Sequence, residues 1–222
     1  MHFLDHDPNN IEKCRVEQII EKDPTGDCQA HKVSEFATGP VLDHELLVRS
    51  IEYPAKFAIP SGINDTLFQD AFKTGASVQR IVDSIQDEIH GLHNRFEKRA
   101  IARRNGSDGR EKKPEFTYIG ILQFSAGELR KTKIDCKDIC RVRIYDAATK
   151  ADDPNHADVL IDAKNLDKQN RKLLRVKLMT IAIARGLHLS PHISEEGEKM
   201  AKNTKLQLHP LERVVLAGLK TV

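Results

Sequence analysis

The spacing of apolar residues divides the chain into segments of two periods. ELLVRSI, residues 45 to 51, is a compact β-type run halted by Pro54. From Ser77 onward, Val78, Val82, Ile85, Ile89, Leu92 and Phe96 recur at alternating steps of four and three, which predicts a helix packed on the chain's own sheet. FTYIGILQF, residues 116 to 124, is apolar on both faces near its middle, as a central strand is. Ser125 and Glu128 then have the spacing of a capping box, so a short helix, SAGELRKT, leaves that strand. RVRIY sets Val142 and Ile144 against Arg141, Arg143 and Tyr145, the alternation of a strand with one solvated face. DVLI, residues 158 to 161, is a further short strand. Leu166 to Arg185 reads as a helix closed by Gly186.

These elements predict an α+β domain: a small mixed sheet flanked by two main helices, 77 to 104 and 166 to 186. Residues 1–43 combine a short amphipathic run, IEKCRVEQIIE, with the turn-rich DPTGD and ATGP, and read as a loosely attached N-terminal extension. The core domain spans 44–189. Within it, Gly106, Gly109 and Pro114 among charges mark 105–114 as an exposed, mobile basic loop. Residues 190–222 read as a helical tail, with Pro210 at a first helical position.

Composition changes this picture little. In 222 residues, 39% are apolar and 31% charged, enough to bury one core without staples. No stretch approaches the roughly 18 uninterrupted apolar residues of a membrane span, and MHFLDHDPNN lacks a signal's basic and apolar regions, so the expectation is a cytoplasmic protein with no membrane partner. Cys14, Cys28, Cys136 and Cys140 are too few for a disulfide framework and read as reduced thiols.

Charge changes it more. The formal net charge of +2 conceals +5 over residues 95 to 113 and +6 over residues 164 to 185. Lys164, Lys168, Arg171 and Arg175 fall on one helical stripe, and Arg103, Arg104, Arg110, Lys112 and Lys113 surround the basic loop. Either group suits a nucleic acid or an acidic protein partner, held electrostatically, or else forms a solvated face. The scarcity of aromatics argues against single-strand stacking.

Between residues 46 and about 183 lie LLVRSI with Pro54 and Phe57, AF at 71 to 72, SV at 77 to 78, FSAGELR at 124 to 130 and PNHADVLI at 154 to 161. In that order they resemble a group of short bacterial proteins to which no activity is attached. The resemblance therefore implies a bacterial setting and no chemistry. The basic insertion at 97 to 115 and the tail after 187 are additions to the shared pattern.

Three constellations are candidates for chemistry. Asp158, Asp162 and Lys164 share strand parity, so two carboxylates could hold Mg²⁺ while the lysine offsets charge on a phosphate, as in a metal-dependent nuclease; the same residues also suit a strand end and helix start. Arg49, among apolar neighbours, needs an acceptor or an anionic ligand, and His156 follows a turn-rich loop. If their strands lie close, the two form a nucleotide-binding or nucleotide-modifying pocket; the alternative is a structural arginine pair and a turn-capping histidine. Cys28 with His31 and Cys136 with Cys140 have zinc-ligand spacing but lie far apart, and unrelated thiols explain them as well. Serine-nucleophile, glycine-rich phosphate-loop and H-E-x-x-H motifs are absent from the sequence. The leading expectation is thus a non-catalytic accessory protein binding a protein partner or nucleic acid, with no cofactor. The nuclease and the nucleotide pocket are its alternatives.

Overall fold

A computed structural model describes residues 4, 7, 13–33, 35–58, 62–82, 85–133, 142–148, 151 and 153–191. The chain begins with helix α1 (Arg15–Lys22), followed by strand β1 (Leu46–Tyr53), a small hairpin of β2 (Phe57–Ala58) and β3 (Gly62–Ile63), and two 3₁₀ turns at Asp65–Phe68 and Asp70–Phe72. Strand β4 (Ala76–Ile81), helix α2 (Ile85–Asn105), strand β5 (Thr117–Ser125) and the short helix α3 (Ala126–Arg130) come next. Strands β6 (Val142–Asp146) and β7 (His156–Ile161), helix α4 (Lys168–Ala184) and strand β8 (Leu187–Leu189) complete it. The main sheet has six strands in the order β6-β7-β4-β1-β5-β8.

The α+β class stands, while every pairing in the sheet is antiparallel rather than mixed. Each strand meets a neighbour running the other way, so no pairing needs a parallel crossover. Alternate residues of one strand enter different cores. Leu47, Ile51, Leu122 and Phe124 face α4 through Leu174, Leu178 and Ala182. Val48, Ile81, Tyr118 and Ile121 face α2 through Leu92, Phe96 and Ala100. The two long helices therefore cover opposite faces of the sheet.

Three local readings need correction. The stripe beginning at Ser77 is not one helix: residues 76 to 81 form β4, inserted between β1 and β7, and the helix starts at Ile85. Val78, a member of that stripe, and Ile81, which is not, are β-branched residues that serve opposite cores of a central strand, while Val82 is exposed. The described part of RVRIY, residues 142 to 145, has no solvated face either, because Arg143 is 5% and Tyr145 1% exposed; Arg141 lies outside the described residues. The N-terminal segment covers them: Arg143 donates to the carbonyls of Asp23 and Pro24, and the Tyr145 hydroxyl donates to Asp23 Oδ2 at 2.7 Å. That segment is also not loose. Val16 and Ile19 of α1 pack with Tyr145, Ala147 and Leu160 in a third cluster.

The ends of α4 and the start of α3 follow expectation. α4 is capped by Asp167, which accepts from the Asn170 N–H at 2.7 Å, and Gly186 follows it with φ +106°. The Glu128 carboxylate accepts from the Ser125 N–H at 3.4 Å, forming the glutamate half of the capping box. Residues 105 to 114 lie mostly exposed at the end of α2. The tail from residue 192 lies outside the described residues.

In β5, Ile51 pairs with Gly120 and Glu52 with Tyr118, leaving Ile119 as a bulge. Gly120 also pairs with Leu189, and a Cβ there would sit 2.2 Å from the His188 carbonyl oxygen. Gly120→Ala must push β8 off the sheet. We expect it to lower stability by about 1–3 kcal/mol in urea unfolding, with hydrogen-exchange protection lost first at residues 187 to 189; unchanged protection there would show that β8 does not depend on the glycine.

Candidate anion-binding cleft

The ladder between β1 and β4 covers only Leu46 with Ile81, Leu47 with Arg80 and Val48 with Gln79. Beyond Val48 the strands part, and β4 continues to pair with β7, down to Ala76 with Val159. Arg49 bridges the opening. Its guanidinium donates to the Ser77 carbonyl at 2.8 Å and to both carboxylate oxygens of Asp70 at 2.7 and 2.6 Å. The group sits 6.0 Å from the Phe68 ring centroid, and the residue is only 2% exposed.

Helix α2 roofs the parted strands and leaves a cavity of about 240 Å³. Arg49, Lys56, Arg95, Arg99 and His156 line it, against the carboxylates of Asp70 and Asp153. Among the described residues Arg99 has no hydrogen-bond or ion-pair partner, and Arg49 Nε is buried with no acceptor. Lys56, within the wall, donates to Glu52 Oε2 at 2.7 Å and to the Ser50 carbonyl at 3.1 Å. Burial and the nearby Arg49 charge hold its pKa below the usual lysine range. Burial works against Glu52 ionising, yet Lys56 and the Ser50 hydroxyl, 2.5 Å away, keep its pKa below normal.

His156 joins the cavity to the sheet beneath. Its Nε2 lies 3.2 Å from Asp158 Oδ1 and its Nδ1 3.6 Å from Asp153 Oδ2. Burial alone would lower its pKa, but the two carboxylates overcome this and raise it to about 9. Asp153, although desolvated, is lowered to about 2 by His156 and Arg95. Arg95 reaches Asp153 at 2.9 Å, and Arg15 of α1 reaches Asp158 at 2.8 Å. An unbroken charge chain thus runs from α1 through β7 to α2. His156 is an imidazolium at neutral pH, so it acts as a cation rather than a base.

Arg49 and His156, paired from the sequence, do line one cleft. Asp158, Asp162 and Lys164 are not gathered at one point. Asp158 is committed to Arg15 and His156, while Asp162 lies past the end of β7, four residues and about 13 Å further along at strand rise. Asp162 Oδ1 accepts from the Lys164 N–H at 2.9 Å, and Asn165 follows with φ 62°, so this segment is a turn between strand and helix. Among the described residues no group of three or more His, Cys, Asp or Glu side chains is placed to hold a metal ion. Cys28 is a free, half-buried thiol and His31 is solvent-exposed; Cys136 and Cys140 lie outside the described residues.

The two basic groups flank opposite faces of the sheet. Arg171 is drawn back onto the carbonyls of Leu166 and Ala163, leaving Lys164 and Lys168 exposed beside it, while Arg175 is half-buried. Across the sheet, Arg103 lies 3.9 Å from Asp108 and Arg104 3.7 Å from Glu97, whereas Arg110 and Lys112 are exposed and Lys113 half-buried. A single partner surface would have to reach around the sheet to touch both. No helix among the described residues is long and apolar enough to cross a membrane.

Sequence reasoning passed over Lys56, Asp70, Arg95, Arg99 and Arg15. One signal was present: Gly91, Arg95 and Arg99 repeat every four residues beside the apolar stripe of Leu92 and Phe96, a row that borders the buried face of α2. The contact of Arg15 with Asp158 spans 143 residues and has no local signature.

The shifted histidine gives a pH signature. Its folded pKa, about 9, lies above the ordinary 6.5, so its stabilisation is complete below pH 6.5 and lost as pH rises through 9. Asp153 acts oppositely: its contribution is present above its ordinary value of 3.8 and lost as pH falls through about 2. His156→Gln should therefore cost about 2–3 kcal/mol in urea unfolding at pH 6 and little at pH 10. A penalty equal at both values would show a neutral imidazole in the fold.

The chain matches no known family model, no curated protein and no solved structure, and its function rests on this geometry.

Proposed function

We propose that the chain binds a small phosphate-bearing ligand of the nucleotide class in the cleft between the parted strands β1 and β4 and helix α2. The observation carrying this reading is the wall itself: five cationic side chains face two carboxylates around about 240 Å³, with Arg49 Nε buried and without an acceptor. Positive side chains outnumber the carboxylates along the wall, and a bound oxyanion would offset that excess. Arginine is suited to that role because its planar fork matches phosphate oxygens. Asp70 and Asp153 occupy, in the free protein, the positions of negative charge that a phosphate would share or take over. No reaction is assigned: His156 is held protonated, and the wall hydroxyls of Ser50 and Ser77 meet carboxylates, Glu52 at 2.5 Å and Asp158 at 3.3 Å, that are already paired with Lys56 and with Arg15 and His156.

Arg99 provides the cleanest test because its side chain can be removed without breaking a hydrogen bond or ion pair among the described residues, while Lys56 and Ser50 still hold Glu52 ionised. Titration of inorganic phosphate into the wild type at low ionic strength should shift the Arg49 Nε–H resonance in ¹⁵N-correlated spectra. Arg99→Gln should weaken that binding about tenfold, the loss of one charge-assisted contact, with the fold unchanged by circular dichroism. An Arg49 resonance unmoved by millimolar phosphate would mean that the cations serve only the ion-pair network.

A further inference from the structure

The cleft does not end at Asp153. A second depression of about 340 Å³ continues along α2, and Gln79, Arg95 and Asp153 border both spaces. Those three side chains are linked to one another. Arg95 Nη1 meets Asp153 Oδ1 at 2.9 Å, and Gln79 Nε2 donates to Asp153 Oδ2 at 3.2 Å. The side chains of Arg95 and Asp153 are 43% and 31% exposed, so the partition is a solvent-screened pair that separates at small cost. A phosphate dianion in the first space would compete with Asp153 for Arg95 and repel the carboxylate, opening the partition from within.

The second space differs in character. Gly91, Leu92 and Pro154 give it apolar wall, and Gln79 and Asn155 give it amides. The Asn155 side chain has no hydrogen-bond partner among the described residues. Beyond the shared Arg95 and Asp153 its charged residues are one cation, Arg80, already spent on Glu45, and one carboxylate, Glu88, a balanced wall that suits a neutral body better than a further phosphate. The first space alone is smaller than the roughly 300–1,000 Å³ of pockets that enclose a small organic ligand. The two joined fall within that range.

Resting on the phosphate-binding reading above, we infer that the cleft is bipartite and takes a nucleoside monophosphate, its phosphate among Arg49, Arg95 and Arg99 and its base against Gly91, Pro154 and Asn155. Arg95 then stands at the junction, one helical turn from both Gly91 and Arg99. Gly91 is the point of discrimination: a Cβ built there meets no atom within 4 Å, so a larger side chain projects into the second space without touching the core.

The experiment compares AMP, ribose 5-phosphate, inorganic phosphate and adenosine by calorimetry at low ionic strength, on the wild type and on Gly91→Trp. Gly91→Gln serves as a smaller second variant. Both variants should melt no lower than the wild type, since glycine is a poor helix former. We expect AMP to bind the wild type at least tenfold more tightly than inorganic phosphate or ribose 5-phosphate, and adenosine far more weakly than AMP. In Gly91→Trp, AMP should fall to the affinity of phosphate while phosphate itself is unchanged, with Gly91→Gln intermediate. Phosphate binding without preference for AMP, or AMP binding indifferent to both variants, overturns the bipartite site and leaves the phosphate-binding reading standing. Binding of neither AMP nor phosphate overturns that reading as well.

Discussion

Arg49 donates to the Ser77 carbonyl at a point where the backbone ladder has already stopped. A β-sheet that parts between two central strands exposes carbonyls and amides with no partner, a serious cost in an interior. Here the guanidinium supplies the missing donor, and Asp70 balances its charge. β4 can then follow β7 while β1 follows β5, and the opening between them becomes the cleft. Without a cation at position 49 the strands would have to close or admit water. The cleft, its charge and its place beneath α2 all follow from that one contact.

The second frame is the charge chain across β7. Arg15, Asp158, His156, Asp153 and Arg95 alternate in sign, so each group is stabilised by two neighbours or closes an end. This ties α1, which the sequence suggests is peripheral, to the same residues that border the cleft. It also explains why Asp158 is unsuited to holding a metal: its carboxylate is 6% exposed and already committed on both sides. The N-terminal segment seals the sheet further, with Gln29 Oε1 accepting from the Ile144 N–H at 2.8 Å on the outer edge of β6.

Elements whose packing is local were legible from the sequence. The FTYIGILQF strand, the helix after Leu166 with its terminal Gly186, and the strand at DVLI announce themselves through period, caps and turns. β4 was hidden because Val78, Val82 and the residues from Ile85 onward happen to continue one helical spacing. Only the pairing of β4 with β1 and β7 decides between strand and helix there. Arg143 and Tyr145 seemed solvated because alternation records polarity, not coverage, and the segment covering them lies more than a hundred residues earlier. Likewise the meeting of Arg49 and His156 was legible as a possibility from two unusual residues. Their surroundings were not: Lys56, Asp70, Arg95 and Arg99 come from a turn, a 3₁₀ turn and a helix that only the fold assembles.

Comparison of two buried arginines separates structure from site. Arg80, 4% exposed, is fully occupied: it meets both carboxylate oxygens of Glu45 and the carbonyls of Gly39 and Pro40. That arrangement fixes a loop and needs nothing more. Arg49 is as deeply buried, yet its Nε has no acceptor, its carboxylate partner is 43% exposed, and the exposed Arg99 on the same cavity wall makes no hydrogen bond or ion pair among the described residues. A network serving stability alone gains from completing its hydrogen bonds, because a buried donor left without an acceptor costs about 1–3 kcal/mol. An incomplete network around a cavity, beside a complete one in the same sheet, is the arrangement expected where the remaining negative charge arrives with a ligand.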